Sequence, residues 1–140
     1  MSTDSEASKR NEPESFRGRD LSASLTANDL QKSLAWYRDV VGFTVKEEYE
    51  REGKLAGAWL VAGGVNLMLG QDDGAKGWER VKGVGFSLQI TTAQDVDELA
   101  AGITNRGGTL ETQPADMPWG ARAFRLADPD GFRLTISSEF

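Results

Sequence analysis

The strongest constraint on the fold is that the same order of segments occurs twice from Leu21 onward: strand, helix, three strands, then the whole series again. In the first pass residues 21–26 read as a strand. Asn28 or Asp29 caps a helix whose apolar Leu30, Leu34, Tyr37 and Val41 recur at spacings of three and four, and Gly42 ends it. Strand-like runs follow at 43–50, 56–62 and 65–69. The second pass opens with a strand at 84–91. Thr92 then caps a helix carrying Val96, Leu99, Ala100 and Ile103, closed by Gly107 and Gly108, and strands at 109–112, 121–127 and 132–137 complete it. The plan is α+β, two tandem βαβββ modules over about 21–71 and 84–138 within one domain, 21–140. Leu25 and Leu88 fall at matching points before the helices, and Gly64-Val65-Asn66-Leu67-Met68 lies over Gly131-Phe132-Arg133-Leu134-Thr135.

Side chains alternate across a strand, so each strand can be divided into two faces. Ala23, Leu25 and Ala27 oppose Ser22, Ser24 and Thr26, while Phe86, Leu88 and Ile90 oppose Gly85, Ser87 and Gln89. The last strands repeat the division, with Val65, Leu67 and Leu69 against Asn66, Met68 and Gly70, and Phe132, Leu134 and Ile136 against Arg133, Thr135 and Ser137. Each amphipathic helix needs an apolar surface to cover, so the apolar faces belong under the helices. The small polar faces are left wet, and sheet curvature turns them into a concave cleft.

Residues 1–20 hold few sizeable apolar side chains, only Met1, Ala7 and Phe16, and are expected to form a disordered tail. They lack the apolar run of a signal peptide, and no stretch of the chain approaches a membrane span, which makes the cytoplasm the expected location and membranes unexpected partners. A net charge of -6 repels phosphate backbones, so nucleic acid is not an expected partner either. The chain contains no Cys and no His. Thiolate nucleophiles, disulfides, imidazole bases and His-ligated metal sites built from one chain are excluded by that inventory.

The stretch from Leu25 to Phe43, LTANDLQKSLAWYRDVVGF, closely resembles the opening module of the vicinal oxygen chelate superfamily, which includes glyoxalase I, extradiol dioxygenases and bleomycin resistance proteins. Pro118-Trp119-Gly120, Phe124 and Asp128-Pro129-Asp130-Gly131-Phe132 resemble its closing strands, and the Pro-Trp-Gly piece is most similar to the metal-free, bleomycin-resistance-like branch. In the family's enzymes a divalent metal is held by one side chain from the first and one from the last strand of each module. Matched motif to motif, those positions fall on Ser22 and Gly85, and on Met68 (or Asn66) and Thr135. Hydroxyls, a thioether and a glycine make a poor divalent site. The resemblance therefore implies no metal, no cofactor and no catalytic residue. It implies instead a homodimer that sequesters an aromatic or cationic organic ligand, antibiotic-like, in a shared cleft. The alternatives are an enzyme of this fold (a lyase, isomerase or dioxygenase) with an atypical or carboxylate-based site, and a structural or regulatory dimer with an empty pocket.

The expected ligand-binding residues are Ser22, Ser24, Met68, Ser87, Gln89, Trp119, Arg133 and Thr135. Trp119 offers a stacking wall, or else merely closes a sheet end. Of Arg122, Arg125 and Arg133, the last shares its face with Thr135 and is the first choice for gripping an anionic group, against a solvated strand-edge role. Trp59 faces the cleft or a helix according to register, with core packing favoured, and neighbouring Trp36 and Tyr37 are not expected to face inward together. Trp78 is either a lid or packed on its own loop. Asp72 and Asp73 lack the further acceptors of a calcium loop. Asp128-Pro129-Asp130-Gly131 reads as a structural turn, as does Gly63-Gly64, and the charged run around Glu47, Glu48, Glu50 and Glu52 reads as a solvated face.

Overall fold

The computed structural model describes residues 16–139. The expected tail falls mostly outside them; within it, Phe16 to Asp20 are exposed and have no regular structure. The first module comprises β1 (Ser22–Ala27), α1 (Leu30–Ala35) continued by a π-helical segment (Trp36–Val41), β2 (Thr44–Arg51), β3 (Lys54–Ala62) and β4 (Val65–Gln71). The second comprises β5 (Ser87–Thr92), α2 (Val96–Asn105), β6 (Thr112–Asp116), β7 (Arg122–Ala127) and β8 (Arg133–Ser138). Each module forms its own four-stranded mixed sheet, in the orders β1-β4-β3-β2 and β5-β8-β7-β6. The two first strands pair in parallel with the last of their modules, which a helical crossover permits and a hairpin does not. No described helix is long and apolar enough to cross a membrane.

Asp29 caps α1 by accepting from the Lys32 amide, and Leu30, Leu34 and Tyr37 form its buried stripe. The helix then widens: the amides of Gly42 and Phe43 both donate to the Tyr37 carbonyl (3.0 and 2.9 Å), and Gly42, at φ 109°, turns the chain out. The Trp36 and Tyr37 rings meet edge to face at 4.8 Å, so Tyr37 is buried and Trp36 half-buried beside it. The α2 cap is Asp95, which accepts from the amides of Asp97 and Glu98, whereas the Thr92 hydroxyl serves the Gln94 amide in the turn before it.

Two strand assignments move. The expected 109–112 meets the strand only at Thr112: the strand is Thr112–Asp116 and contains Pro114; β6 is a sheet edge, where a missing N–H breaks no ladder. β5 starts at Ser87 rather than 84, because Gly85 sits at φ 70° in a turn where the Phe86 amide donates to the Gly83 carbonyl. The register shifts with it. Leu25 pairs with Leu69 and Ile90 with Ile136, so the counterpart of Leu25 is Ile90 rather than Leu88, and that of Ser22 is Ser87 rather than Gly85.

The modules share one core, in which Leu25, Leu30, Tyr37, Leu60 and Leu67 join Val96, Ile103, Phe124, Leu134 and Ile136. Polar contacts reinforce the join. The Tyr37 hydroxyl donates to Asp128 (2.8 Å), the Asn28 amide to Asp130 (3.1 Å), and Arg106 Nε to the Val40 carbonyl (2.9 Å). In the connecting loop Asp72 is buried against Lys82 (2.9 Å) and Arg80 (3.3 Å), and Lys82 also reaches Asn28. The backbone amide of Gly74, followed by Lys82, holds the Asp72 carboxyl down at about 2. A depressed folded-state pKa contributes stability that is present above the unfolded value and lost as pH falls through the folded one. Acid titration of wild type should therefore lose more stability between pH 4 and about 2 than Asp72→Asn does, read by urea denaturation at each pH. Equal slopes would show that the pair does not couple protonation to folding.

Candidate functional site

The wet face of the second sheet is a polar hollow. The rows Ser87–Arg133–Ala127 and Gln89–Thr135–Arg125 run across β5, β8 and β7, and the β6–β7 turn folds over them. That turn is fixed by Met117 N–H to the Ala121 carbonyl (2.7 Å) and Gly120 N–H to the Met117 carbonyl (3.0 Å), with Gly120 at φ 100°. It presents Met117 and the half-exposed Trp119 (51% exposed) to the hollow, which measures ≈ 230 Å³ and is also walled by Ser87, Gln89, Arg125, Arg133 and Thr135. The Ser87 and Thr135 hydroxyls lie 3.4 Å apart on its floor. Arg133 Nε donates to Glu111 at 2.8 Å, which raises the Arg133 pKa further. Arg125 makes no ion pair among the described residues. Arg122 belongs elsewhere: it reaches Asp97 on α2 (2.7 Å) and Asp116 (3.1 Å), and those carboxylates hold its proton more tightly.

Five of the eight expected residues, Ser87, Gln89, Trp119, Arg133 and Thr135, thus converge on one hollow. The other three lie on the first sheet. Ser24 is the lateral neighbour of Met68 and lines a separate hollow of ≈ 330 Å³ with Thr26 and the 80–84 segment, and Ser22 is paired with Asn66. Trp59 is on this wet face too, beside Met68, and not in the core; it alternates with buried Ala58 and Leu60. Its indole N–H donates to Asn66 (2.9 Å), and Lys46, the extra residue at a β-bulge in β2, places its ammonium 4.0 Å from the ring centre. Trp78 packs on its own loop: its ring fills the space over Gly74, where a Cβ would come within 2.4 Å of it.

The donor set does not fit a divalent metal. With Ser87 in place of Gly85, the corrected positions are Ser22, Ser87, Met68 or Asn66, and Thr135, which supply neutral oxygens and a thioether without a carboxylate or imidazole. Among the described residues no three acidic groups gather elsewhere to replace them. Met117 and Ala123 are wall residues that sequence reading passed over, and Arg125 is one it placed behind Arg133. Arg125 was visible as one of three arginines on the last strands, and alternation with the apolar Phe124 and Leu126 along β7 would have placed it on the wet face.

A duplicated βαβββ chain with helices under one face of each sheet and polar hollows on the other has the architecture of a vicinal oxygen chelate protein. The chain belongs to the Glyoxalase/Bleomycin resistance protein/Dioxygenase superfamily, whose profile matches residues 21–136. Among solved structures, TioX from Micromonospora sp. ML1 is similar at 22% identity, covering 88% of this chain and 100% of TioX with a TM-score of 0.72. A member of the same superfamily from Sphaerobacter thermophilus DSM 20745 is similar at 27% identity, 88% and 98% coverage and a TM-score of 0.70. TnmS3, an antibiotic binding protein from Streptomyces sp. CB03234, is similar at 20% identity, 89% and 98% coverage and a TM-score of 0.69. No curated protein matches the chain by sequence.

Proposed function

We propose that this protein binds a small organic molecule bearing an aromatic ring, without metal and without chemistry, and that it does so as a cytosolic homodimer. The observation that carries the reading is the hollow on the second sheet. Paired hydroxyls, an amide, guanidinium groups and a half-exposed Trp converge there, on a face whose metal positions lack metal donors. Few placed polar groups beside aromatic surface is the composition of a recognition site. Similarity to TnmS3, an antibiotic binding protein, lends support.

At ≈ 230 Å³ the hollow falls below the roughly 300–1,000 Å³ of drug-sized sites, so one chain accommodates a one- or two-ring compound or one end of a larger one. A second protomer would supply the rest. β1 and β5 are both sheet edges with unpaired ladder groups. Between the apolar faces behind them lies a further cavity of ≈ 390 Å³, lined by Leu21, Ala23, Phe43, Leu67, Leu88 and Ile90, which a copy of the chain would close. Light scattering should return twice the 15.2 kDa chain mass at micromolar concentration; a monomer there would remove the dimer from the proposal.

A thermal-shift panel of aromatic compounds tests the binding function, since a ligand at a hundredfold excess over its Kd stabilises the native state by about 2.7 kcal/mol. Trp119→Ala should weaken any hit about tenfold while leaving the unliganded melting temperature nearly unchanged, because the side chain is already half-exposed in the free protein. Silence across a chemically broad panel would defeat the reading.

A further inference from the structure

Resting on that reading, we infer that the ligand of the second-sheet hollow carries an anionic group, a carboxylate on an aromatic ring, and that Arg125 is the residue that selects it. The chain is acidic, with a net charge of -6, and by overall field a cation would be favoured. The hollow has the opposite sign. Its walls include Arg125 and Arg133 and no acidic residue, and the carboxylate that pairs with a wall guanidinium, Glu111, is engaged by Arg133 Nε at 2.8 Å. Two guanidiniums against one carboxylate leave the hollow positive, and the uncompensated charge is Arg125.

Its placement suits a planar acid. Arg125 is the lateral neighbour of Thr135 on one side and of Thr112 on the other, and its backbone is fixed by Arg125 N–H to Thr112 Oγ1 at 3.0 Å. The guanidinium is exposed, with no carboxylate to displace, and offers a fork of donors that matches the two oxygens of a carboxylate. The Ser87 and Thr135 hydroxyls and the Gln89 amide are further donors on the same face. Met117 and Trp119 supply the surface for the ring. A cationic guest would have to approach Arg125 and Arg133 with no anion free to receive it.

Three probes of one shape separate the possibilities: 2-naphthoate, 2-naphthamide and (2-naphthyl)methylammonium, titrated calorimetrically against wild type, Arg125→Gln and Arg125→Lys. Wild type should prefer the carboxylate to the amide by about tenfold to a hundredfold. Arg125→Gln should abolish that preference, and Arg125→Lys should retain part of it. Arg125 is exposed, so its variants should keep the wild-type melting temperature. Equal binding of all three probes, or a carboxylate preference that survives Arg125→Gln, would overturn the inference and leave the binding function standing. No binding of 2-naphthoate under conditions where panel compounds bind would overturn it as well. A panel that is silent throughout strikes the binding function itself.

Discussion

Gly83→Ala should destabilise the protein by about 3 kcal/mol, while Gly53→Ala should cost about 1 kcal/mol, although the two glycines have nearly the same backbone angle. Gly83 lies in the loop joining the modules at φ 79°, and Gly53 in the β2–β3 turn at φ 77°. A side chain at either must enter the left-handed region, which costs roughly 1–2 kcal/mol. Only Gly83 is also crowded. A Cβ there would stand 2.5 Å from the Gly131 carbonyl oxygen and 2.8 Å from its carbon, both backbone atoms of the β7–β8 turn, whereas at Gly53 nothing lies within 4 Å. A backbone neighbour cannot swing aside as a side chain would, so the loop itself must move, at a typical overpacking cost of ~1–3 kcal/mol. Urea denaturation of the two variants checks this through the difference in midpoint at constant m-value. Equal losses would mean that the approach of the two turns contributes nothing to holding the modules together.

That contact explains part of what could and could not be read from the sequence. Helical spacing of Leu30, Leu34 and Tyr37, and alternation in Ala23-Ser24-Leu25 and Leu67-Met68-Leu69, report local periodicities that a single segment determines, and the structure keeps both. Relations between segments left weaker traces. The Leu88 match failed because the turn at Gly83–Phe86 delays β5, and nothing within the strand itself distinguishes one alternating register from another shifted by two. For Trp59 the register left both faces open with core packing favoured, yet a bulge at Lys46 and the Asn66 amide give its polar edge and ring face partners on the wet side. The hollow was legible as a face, through Ser87, Gln89 and Thr135. Its charge was not, because which arginine is neutralised depends on Asp97, Asp116 and Glu111 arriving from other elements.

The turn Asp128-Pro129-Asp130-Gly131 has a second role that its sequence does not announce, and the largest stability effects should centre there. Asp128 Oδ1 accepts the amides of Asp130 and Phe132 (both 2.9 Å), as a turn aspartate does, while Oδ2 points away and receives the hydroxyl of Tyr37 from the other module. Asp130 takes the Asn28 amide at 3.1 Å and the Ser33 hydroxyl at 3.2 Å, so the turn grips both ends of the first turn of α1. Tyr37 is 0% exposed, and its ring packs edge-on against Trp36 and Phe43. Tyr37→Ala removes ring and hydroxyl together and should cost about 3–5 kcal/mol. Tyr37→Phe keeps the ring but leaves Asp128 Oδ2 buried without its donor, for a loss of about 1–3 kcal/mol. Asp128→Asn should be milder than either, since the amide oxygen still accepts the turn's backbone donors and its NH₂ can donate to the tyrosine oxygen.

The carboxyl also carries a pH signature. Burial, outweighing the Tyr37 bond and the backbone amides, raises the Asp128 pKa in the folded protein. A raised acid binds its proton more tightly folded than unfolded, so its contribution is greatest below the unfolded value and is lost as pH rises through the folded one. The stability of wild type relative to Asp128→Asn should therefore decline as pH rises through the folded pKa of Asp128, opposite in sign to the Asp72 comparison. Measured across pH by urea denaturation, a difference that stays flat would show that burial and the hydrogen bonds to Asp128 offset one another, so that protonation of this carboxyl is not coupled to folding.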